Sequence, residues 1–156
     1  MEHHTLAWGR PDPGNPPFRY RVRTRVEITD TDLGAVVYYA RYPHFIDRAV
    51  VAYRRHLGIP PLGPEGHLFV VRRLTMDYLT SARFDEPLDV WVRTSALGRT
   101  SHTMQVRVAN ADDQMVRVDA ELLLVGLTGY EDGRPSRMPD PMVRAIREFE
   151  GEALPG

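Results

Sequence analysis

The stretch ARYPHFIDRAVVAYRRHLG, Ala40 to Gly58, decides the architecture. Tyr42, Phe45, Ile46, Ala49, Val50, Tyr53 and Leu57 recur at intervals of three and four, which is the spacing of one helix face. Gly58 followed by Pro60 and Pro61 ends the run. Arg41, His44, Arg48, Arg54 and Arg55 are expected to point away from the apolar face. A helix this apolar along one side needs a comparably broad apolar surface to cover it.

Outward from the helix the period changes from 3.6 to two. Upstream, Tyr20, Val22, Thr24, Val26 and Ile28 alternate with Arg19, Arg21, Arg23, Arg25 and Glu27, the pattern of a strand with one wet face. The arginine face is expected to be solvated or to meet acidic residues of a partner. Downstream, His67 to Tyr78 alternates again, with a bend expected near Ser81. Leu88 to Leu97, Thr100 to Val108 and Met115 to Leu127 then read as three strands of a meander, turning at Gly98 and at NADDQ, Asn110 to Gln114. Met142, Val143, Ile146 and Phe149, after Pro139 and Pro141, predict a short C-terminal helix. The expected fold is α+β, a five-stranded antiparallel sheet wrapped around one long central helix, the hotdog architecture in outline. Residues 18–150 form this single domain, and residues 1–17, rich in Pro and Gly, are expected to be a disordered tail. Pairing of sheet edges between two copies predicts a homodimer, or a dimer of dimers.

Composition removes several chemistries. A chain of 156 residues, 42% hydrophobic, suits one domain with its own core. Twenty basic against 21 acidic residues leave a net charge of -1, which argues against nucleic acid as partner. With no cysteine there is no thiolate nucleophile, disulfide or Cys-ligated metal. With no lysine, all 20 basic residues are arginine, so neither a Schiff-base nor a P-loop lysine exists. The serines, at 81, 95, 101 and 136, never stand in G-x-S-x-G, and the six histidines never form H-E-x-x-H. Neither a metal nor another cofactor is expected. The N-terminus lacks the basic and apolar regions of a leader, and the apolar stretch Ala120 to Leu127 is far too short for a membrane span. A cytoplasmic location away from membranes is expected.

Between the first strand and the helix lies TDTDLGAVVYYARY, Thr29 to Tyr42. On spacing alone, Asp30 and Asp32 read most simply as turn and cap residues. DTDLGAVVYYARYPHFIDRA, however, resembles the signature of hotdog-fold acyl-CoA thioesterases of the 4-hydroxybenzoyl-CoA thioesterase family. LTMDYLTSARFDEPLDVWV, Leu74 to Val92, and LGRTSHTMQVRV, Leu97 to Val108, are similar to two further segments of that family in the same order.

The resemblance implies that Asp32 is the catalytic carboxylate, acting as nucleophile or general base. It implies that the backbone N–H of Tyr39 faces the thioester carbonyl, with Gly34 and Val37 of the loop as substrate-binding residues. It also implies an acyl-CoA substrate whose phosphates meet Arg99, with Thr100 and Ser101 beside it. The chain departs from the pattern at Gly34, which comes two residues after Asp32 rather than three, leaving Ala35 in the third place. Tyr39 stands where many bacterial relatives carry His. A helix N-terminus suits an oxyanion and a nearby carboxylate, so the physical reading agrees. Tyr42 and Phe45 are candidates to border an acyl slot between subunits, although both also suit the core. Asp47 is a second-rank candidate carboxylate, with an ion pair to Arg48 as its simpler reading. Three alternatives stand beside hydrolysis of acyl-CoA: an acyl-carrier-protein thioesterase, a non-catalytic hotdog module binding acyl thioesters, and a dehydratase using His67 or His102 with an aspartate.

Overall fold

A computed structural model describes residues 9–33, 35–60, 67–128 and 133–155. Its elements are β1 (Gly9–Asn15), β2 (Phe18–Arg25), a short hairpin of β3 (Thr31–Asp32) and β4 (Val36–Val37), and the central helix α1 (Tyr42–His56). β5 (Leu68–Tyr78), β6 (Pro87–Leu97), β7 (Ser101–Asn110), β8 (Val116–Leu127) and α2 (Asp140–Glu150) follow. The main sheet is antiparallel with order β1-β2-β6-β7-β8-β5. β1 and β2 at one edge, and β6, β7 and β8 in the middle, follow one another in sequence order, while β5 crosses to the far edge.

Register explains the core. Tyr20, Val92, Val106, Ala120 and Met76 are paired across five strands, and Val22, Val90, Val108, Val118 and Tyr78 form the next row in register. Tyr42, Phe45, Ile46, Ala49, Val50 and Tyr53 of α1 are buried in the same cluster. Full burial of a large apolar side chain contributes roughly 1.5–3 kcal/mol, so this one helix face is a major part of the stability. A second cluster, Ile59, Met138, Met142, Ile146 and Leu154, seats α2. Glu150 is fully buried there, and its Oε2 accepts hydrogen bonds from the Tyr53 hydroxyl at 2.6 Å and the Thr94 N–H at 2.9 Å. Its carboxyl is pushed above the ordinary range by burial, which outweighs those bonds.

The sheet has six strands rather than five. The sixth, β1, lies inside the segment read as tail, and it occupies an edge, where proline's missing N–H leaves no ladder bond unmade. Asp12 of β1 also meets the buried Arg21 of β2 at 2.9 Å, a contact that composition does not reveal. The arginine face of β2 finds its acids within the chain: Arg23 is bidentate to Asp89 at 2.8 and 3.0 Å, and Arg25 lies 3.6 Å from Asp85. Ile28 is 58% exposed, because the chain leaves the sheet after Arg25 and enters a 3-10 turn at Ile28–Asp30. Arg54 is buried rather than outward, since it stands four residues after Val50 on the flank of the apolar face.

Candidate active site

The loop from β2 to α1 is held by Asp30. This buried carboxylate accepts from the Glu27 N–H through Oδ2 at 2.8 Å and from Arg41 Nε through Oδ1 at 2.8 Å. Its backbone carbonyl receives the Tyr38 N–H at 3.0 Å. Asp30 thus ties both ends of the β3–β4 hairpin to the start of the helix. The hairpin, with Thr31 opposite Val37 and Asp32 opposite Val36, docks on the segment before β6. Val37 donates to the Ala82 carbonyl at 2.9 Å and Phe84 to the Ala35 carbonyl at 3.0 Å.

Asp32 differs from Asp30 in every respect. It is exposed, and among the described residues its carboxylate has neither an ion pair nor a hydrogen-bond donor. Leu33 next to it is fully exposed with φ 54°, so the chain turns sharply immediately after the carboxylate. Gly34 lies outside the described residues. Val37 is buried, its side chain part of the core beneath the hairpin.

A 3-10 turn at Tyr39–Arg41 leads directly into α1, and its N-cap residue Tyr38 supplies no side-chain cap. As the first residue of that turn, Tyr39 has no acceptor for its N–H within it. The Tyr78 hydroxyl donates to the Tyr39 carbonyl at 3.0 Å, and the Tyr39 and Tyr78 rings meet edge to face at 6.4 Å. Tyr38 packs on Tyr39 with ring centroids 4.9 Å apart. Pairing of Asp32 with Val36 and the Tyr38 N–H bond to the Asp30 carbonyl hold Asp32 close to this turn. The Tyr38 phenol is raised above its ordinary value, first by its hydrogen bond to Tyr39 and least by the Asp32 charge. Chemically, this is an unpaired carboxylate beside an uncapped helical start, under a wall of tyrosines. A carboxylate so placed can attack a carbonyl or take a proton from water, while an N–H at a helix start stabilises the resulting oxyanion.

The structure does not bring every sequence candidate to this place. Arg99 is exposed in the turn between β6 and β7, with Thr100 and Ser101 half-buried beside it. That turn lies at the Leu68 and Leu127 end of the sheet, whereas Asp32 and Tyr39 lie at the Tyr78 and Pro87 end. An 11-residue strand separates the two ends, on the order of 30 Å within one chain. His67 and His102 sit at the far end as well, so neither pairs with Asp30 or Asp32 within the chain. Tyr42 and Phe45 are core residues, and the Tyr42 hydroxyl accepts from the Ala82 N–H at 3.2 Å. Asp47 is exposed and, among the described residues, makes no ion pair with Arg48.

The turn-and-cap reading of Asp30 is met, its carboxylate accepting the Glu27 N–H of the 3-10 turn, but sequence reading missed its ion pair with Arg41 and the bond from Tyr78 to Tyr39. Arg41 eleven residues after Asp30 gave no local signal, and Tyr78 comes from a strand remote in sequence.

This fold and this loop define a class, the hotdog thioesterases. A thioesterase from Thermus thermophilus, crystallised with coenzyme A and zinc, superposes with a TM-score of 0.77 at 32% identity, covering 88% of this chain and 98% of that one. A probable thioesterase from Bartonella henselae gives a TM-score of 0.69 at 29% identity, covering 76% of this chain and 98% of that one. The acyl-CoA thioester hydrolase YbgC of Escherichia coli O157:H7 is 32% identical over 133 residues, which are 84% of this chain and 96% of the relative. The thioesterase superfamily model matches residues 34–117. The chain belongs to the thioesterase superfamily. Among the described residues, no three His, Cys, Asp or Glu side chains gather as a metal-binding group.

Proposed function

We propose that this thioesterase hydrolyses acyl-CoA to a free acid and coenzyme A, with Asp32 as the catalytic carboxylate and the Tyr39 N–H as the oxyanion donor. The observation that carries the reading is the contrast between the two aspartates. Asp30 is committed to Arg41 and Glu27, while Asp32 is unpaired beside the uncapped turn. As a general base, Asp32 takes a proton from water; the hydroxyl attacks the carbonyl carbon, the C–S bond breaks and the thiolate leaves with the proton. As a nucleophile, its oxygen displaces the thiolate to give a mixed anhydride, which water then cleaves to restore the carboxylate. In a single turnover in ¹⁸O-water, label in Asp32 establishes the anhydride route with water attacking the Asp32 carbonyl carbon.

Coenzyme A rather than a carrier protein is favoured by the relative crystallised with coenzyme A. The working unit is a homodimer paired through β5, the edge strand that carries exposed Val71, Leu74 and Tyr78. Antiparallel pairing of two β5 strands about a two-fold axis reverses one sheet against the other. The second copy's Arg99, Thr100 and Ser101 then stand at the same end as Asp32 and Tyr39, available to bind the phosphates and polar parts of coenzyme A. Gly34 and Val37 shape the loop that receives the thioester. A dimer of dimers can form on the remaining faces, and the cytoplasm, where acyl-CoA is made and used, is the expected location. No described helix is long and apolar enough to cross a membrane.

The deciding experiment follows thiol release from short, medium, long and aromatic acyl-CoAs by wild type and Asp32→Asn. A fall of about 10²-fold or more in the variant supports the assignment. Equal rates of turnover overturn the role of Asp32, and binding with no turnover by either protein favours the non-catalytic binding module instead.

A further inference from the structure

At the Leu68 and Leu97 end of the sheet, Arg54, His67 and His102 gather around the ring of Phe69. The Arg54 guanidinium carbon stands 4.8 Å from the ring centroid, and the His67 and His102 rings lie 4.8 and 5.3 Å from it. All three polar side chains are more than nine-tenths buried. Yet among the described residues Arg54 Nε and Nη2, His67 Nε2 and His102 Nδ1 have no hydrogen-bond partner. Among the described residues no carboxylate pairs with Arg54. One buried polar atom without a partner is a packing accident. Four nitrogens on three side chains, from a helix, a strand and the residue before another strand, are a site lacking its complement.

The chemistry of the complement follows from the donors. Arg54 stays charged, while burial holds both imidazoles neutral, His102 down to about 3 with further help from the charge of Arg54 and, where His67 is protonated, of His67. A neutral imidazole offers one N–H and a guanidinium offers a planar fork, so the matching group is an anion with two adjacent acceptor oxygens, a carboxylate. The cluster borders the sheet edge, because His67 immediately precedes the edge strand β5 and Phe69 belongs to it. Under the antiparallel β5 pairing argued above, the second copy's cluster lies at the end where this chain carries Asp32 and Tyr39.

We propose that Arg54, His67 and His102 receive the free carboxylate at the far end of an acyl group, so that the substrates include thioesters of dicarboxylic acids held across the dimer. The proposal rests on the thioesterase reading and on the β5 dimer. It assigns the cluster to specificity and gives it no part in bond breaking.

The test compares glutaryl-CoA with pentanoyl-CoA, equal in carbon number and different only at the far end, on wild type, Arg54→Met and His67→Asn. Thermal melting of each protein is also measured with and without free glutarate. The ratio of kcat/KM for glutaryl-CoA over pentanoyl-CoA is expected to exceed one in wild type and to fall tenfold or more in Arg54→Met, as loss of a charge-assisted hydrogen bond implies. His67→Asn, which keeps the cation, should lower the ratio less and serves where Arg54→Met does not fold. A ratio unchanged by both substitutions overturns the proposal. If neither thioester is turned over by wild type, the thioesterase reading fails separately and melting decides. Stabilisation by glutarate in wild type and not in Arg54→Met sustains the carboxylate site, and no stabilisation overturns it. Glu65, Glu131 and Asp132 lie outside the described residues. If neutralising one of them destabilises the protein as much as Arg54→Met does, with no effect of glutarate, Arg54 has an internal partner and the proposal is overturned.

Discussion

The Tyr78 hydroxyl donates to the backbone carbonyl of Tyr39 at 3.0 Å, joining the end of the edge strand β5 to the first residue of the turn that opens α1. The bond is exposed, so its net contribution to stability is at most about 1 kcal/mol. Through that carbonyl it anchors the residue whose N–H is the proposed oxyanion donor, so its effect on the site is expected to be larger. Tyr78→Phe is expected to lower kcat several-fold with little change in KM or in melting temperature. Steady-state kinetics on the best acyl-CoA check this, and a change confined to KM would mean that Tyr78 binds substrate instead.

Asp30 and Asp32 should separate stability from activity. Asp30→Asn weakens a buried ion pair with Arg41 and the Glu27 N–H bond, at a cost of about 2–4 kcal/mol. Asp32→Asn changes an exposed carboxylate with no partner, so its stability should stay within about 0.5 kcal/mol of wild type while turnover collapses. Urea unfolding of both variants beside the hydrolysis assay tests the pair, and the reverse pattern would exchange the two roles.

Much of the fold was legible because it rests on periodicity, and periodicity is local. The apolar face from Tyr42 to Tyr53 and the alternation in β6 to β8 both translate directly into which atoms leave water. What escaped depends on partners distant in sequence. β1 is held by Asp12 on Arg21 and by pairing with β2, neither of which Pro-rich composition can show. His102 does keep phase with Met104, Val106 and Val108, so its burial was legible, but its meeting with Arg54 and His67 was not. In the loop, the motif drew attention to both aspartates. Burial, the Glu27 N–H bond and the Arg41 contact distinguish the structural one from the free one.

Dimerisation through β5 predicts sensitivity at its exposed apolar positions. Val71 is 52% exposed, and Val71→Asp would place like charges near the two-fold axis and remove apolar contact area. Light scattering should show a dimer for wild type and a monomer for the variant, with acyl-CoA hydrolysis lost in parallel. Retention of the dimer would move the interface away from this edge.

Acid should act on the fold through His102. Its pKa is lowered from 6.5 to about 3, chiefly by burial and then by the charges of Arg54 and His67. Between those values the unfolded chain binds more protons than the folded one. The stability conferred by the neutral imidazole is therefore complete above pH 6.5 and is lost as pH falls towards 3, by at most about 5 kcal/mol. His102→Gln has no such proton to bind. Its unfolding free energy should fall less between pH 7 and pH 4 than that of wild type, as measured by urea titration at each pH.

His67 lies against Gly126, and the contact can be tested from the glycine side. A Cβ at Gly126 would overlap His67 Nε2 and stand 3.2 Å from the Ser136 carbonyl oxygen. The imidazole must therefore move if Gly126→Ala folds at all, and overpacking of this kind costs about 1–3 kcal/mol. In the double variant His67→Ala with Gly126→Ala the overlap is gone and only the tight approach to Ser136 remains. The double variant should thus be more stable than the sum of the two single changes requires, by 1 kcal/mol or more in a double-mutant cycle. Strict additivity would mean that the imidazole swings aside without cost, and that Gly126 does not fix the position from which His67 faces Phe69.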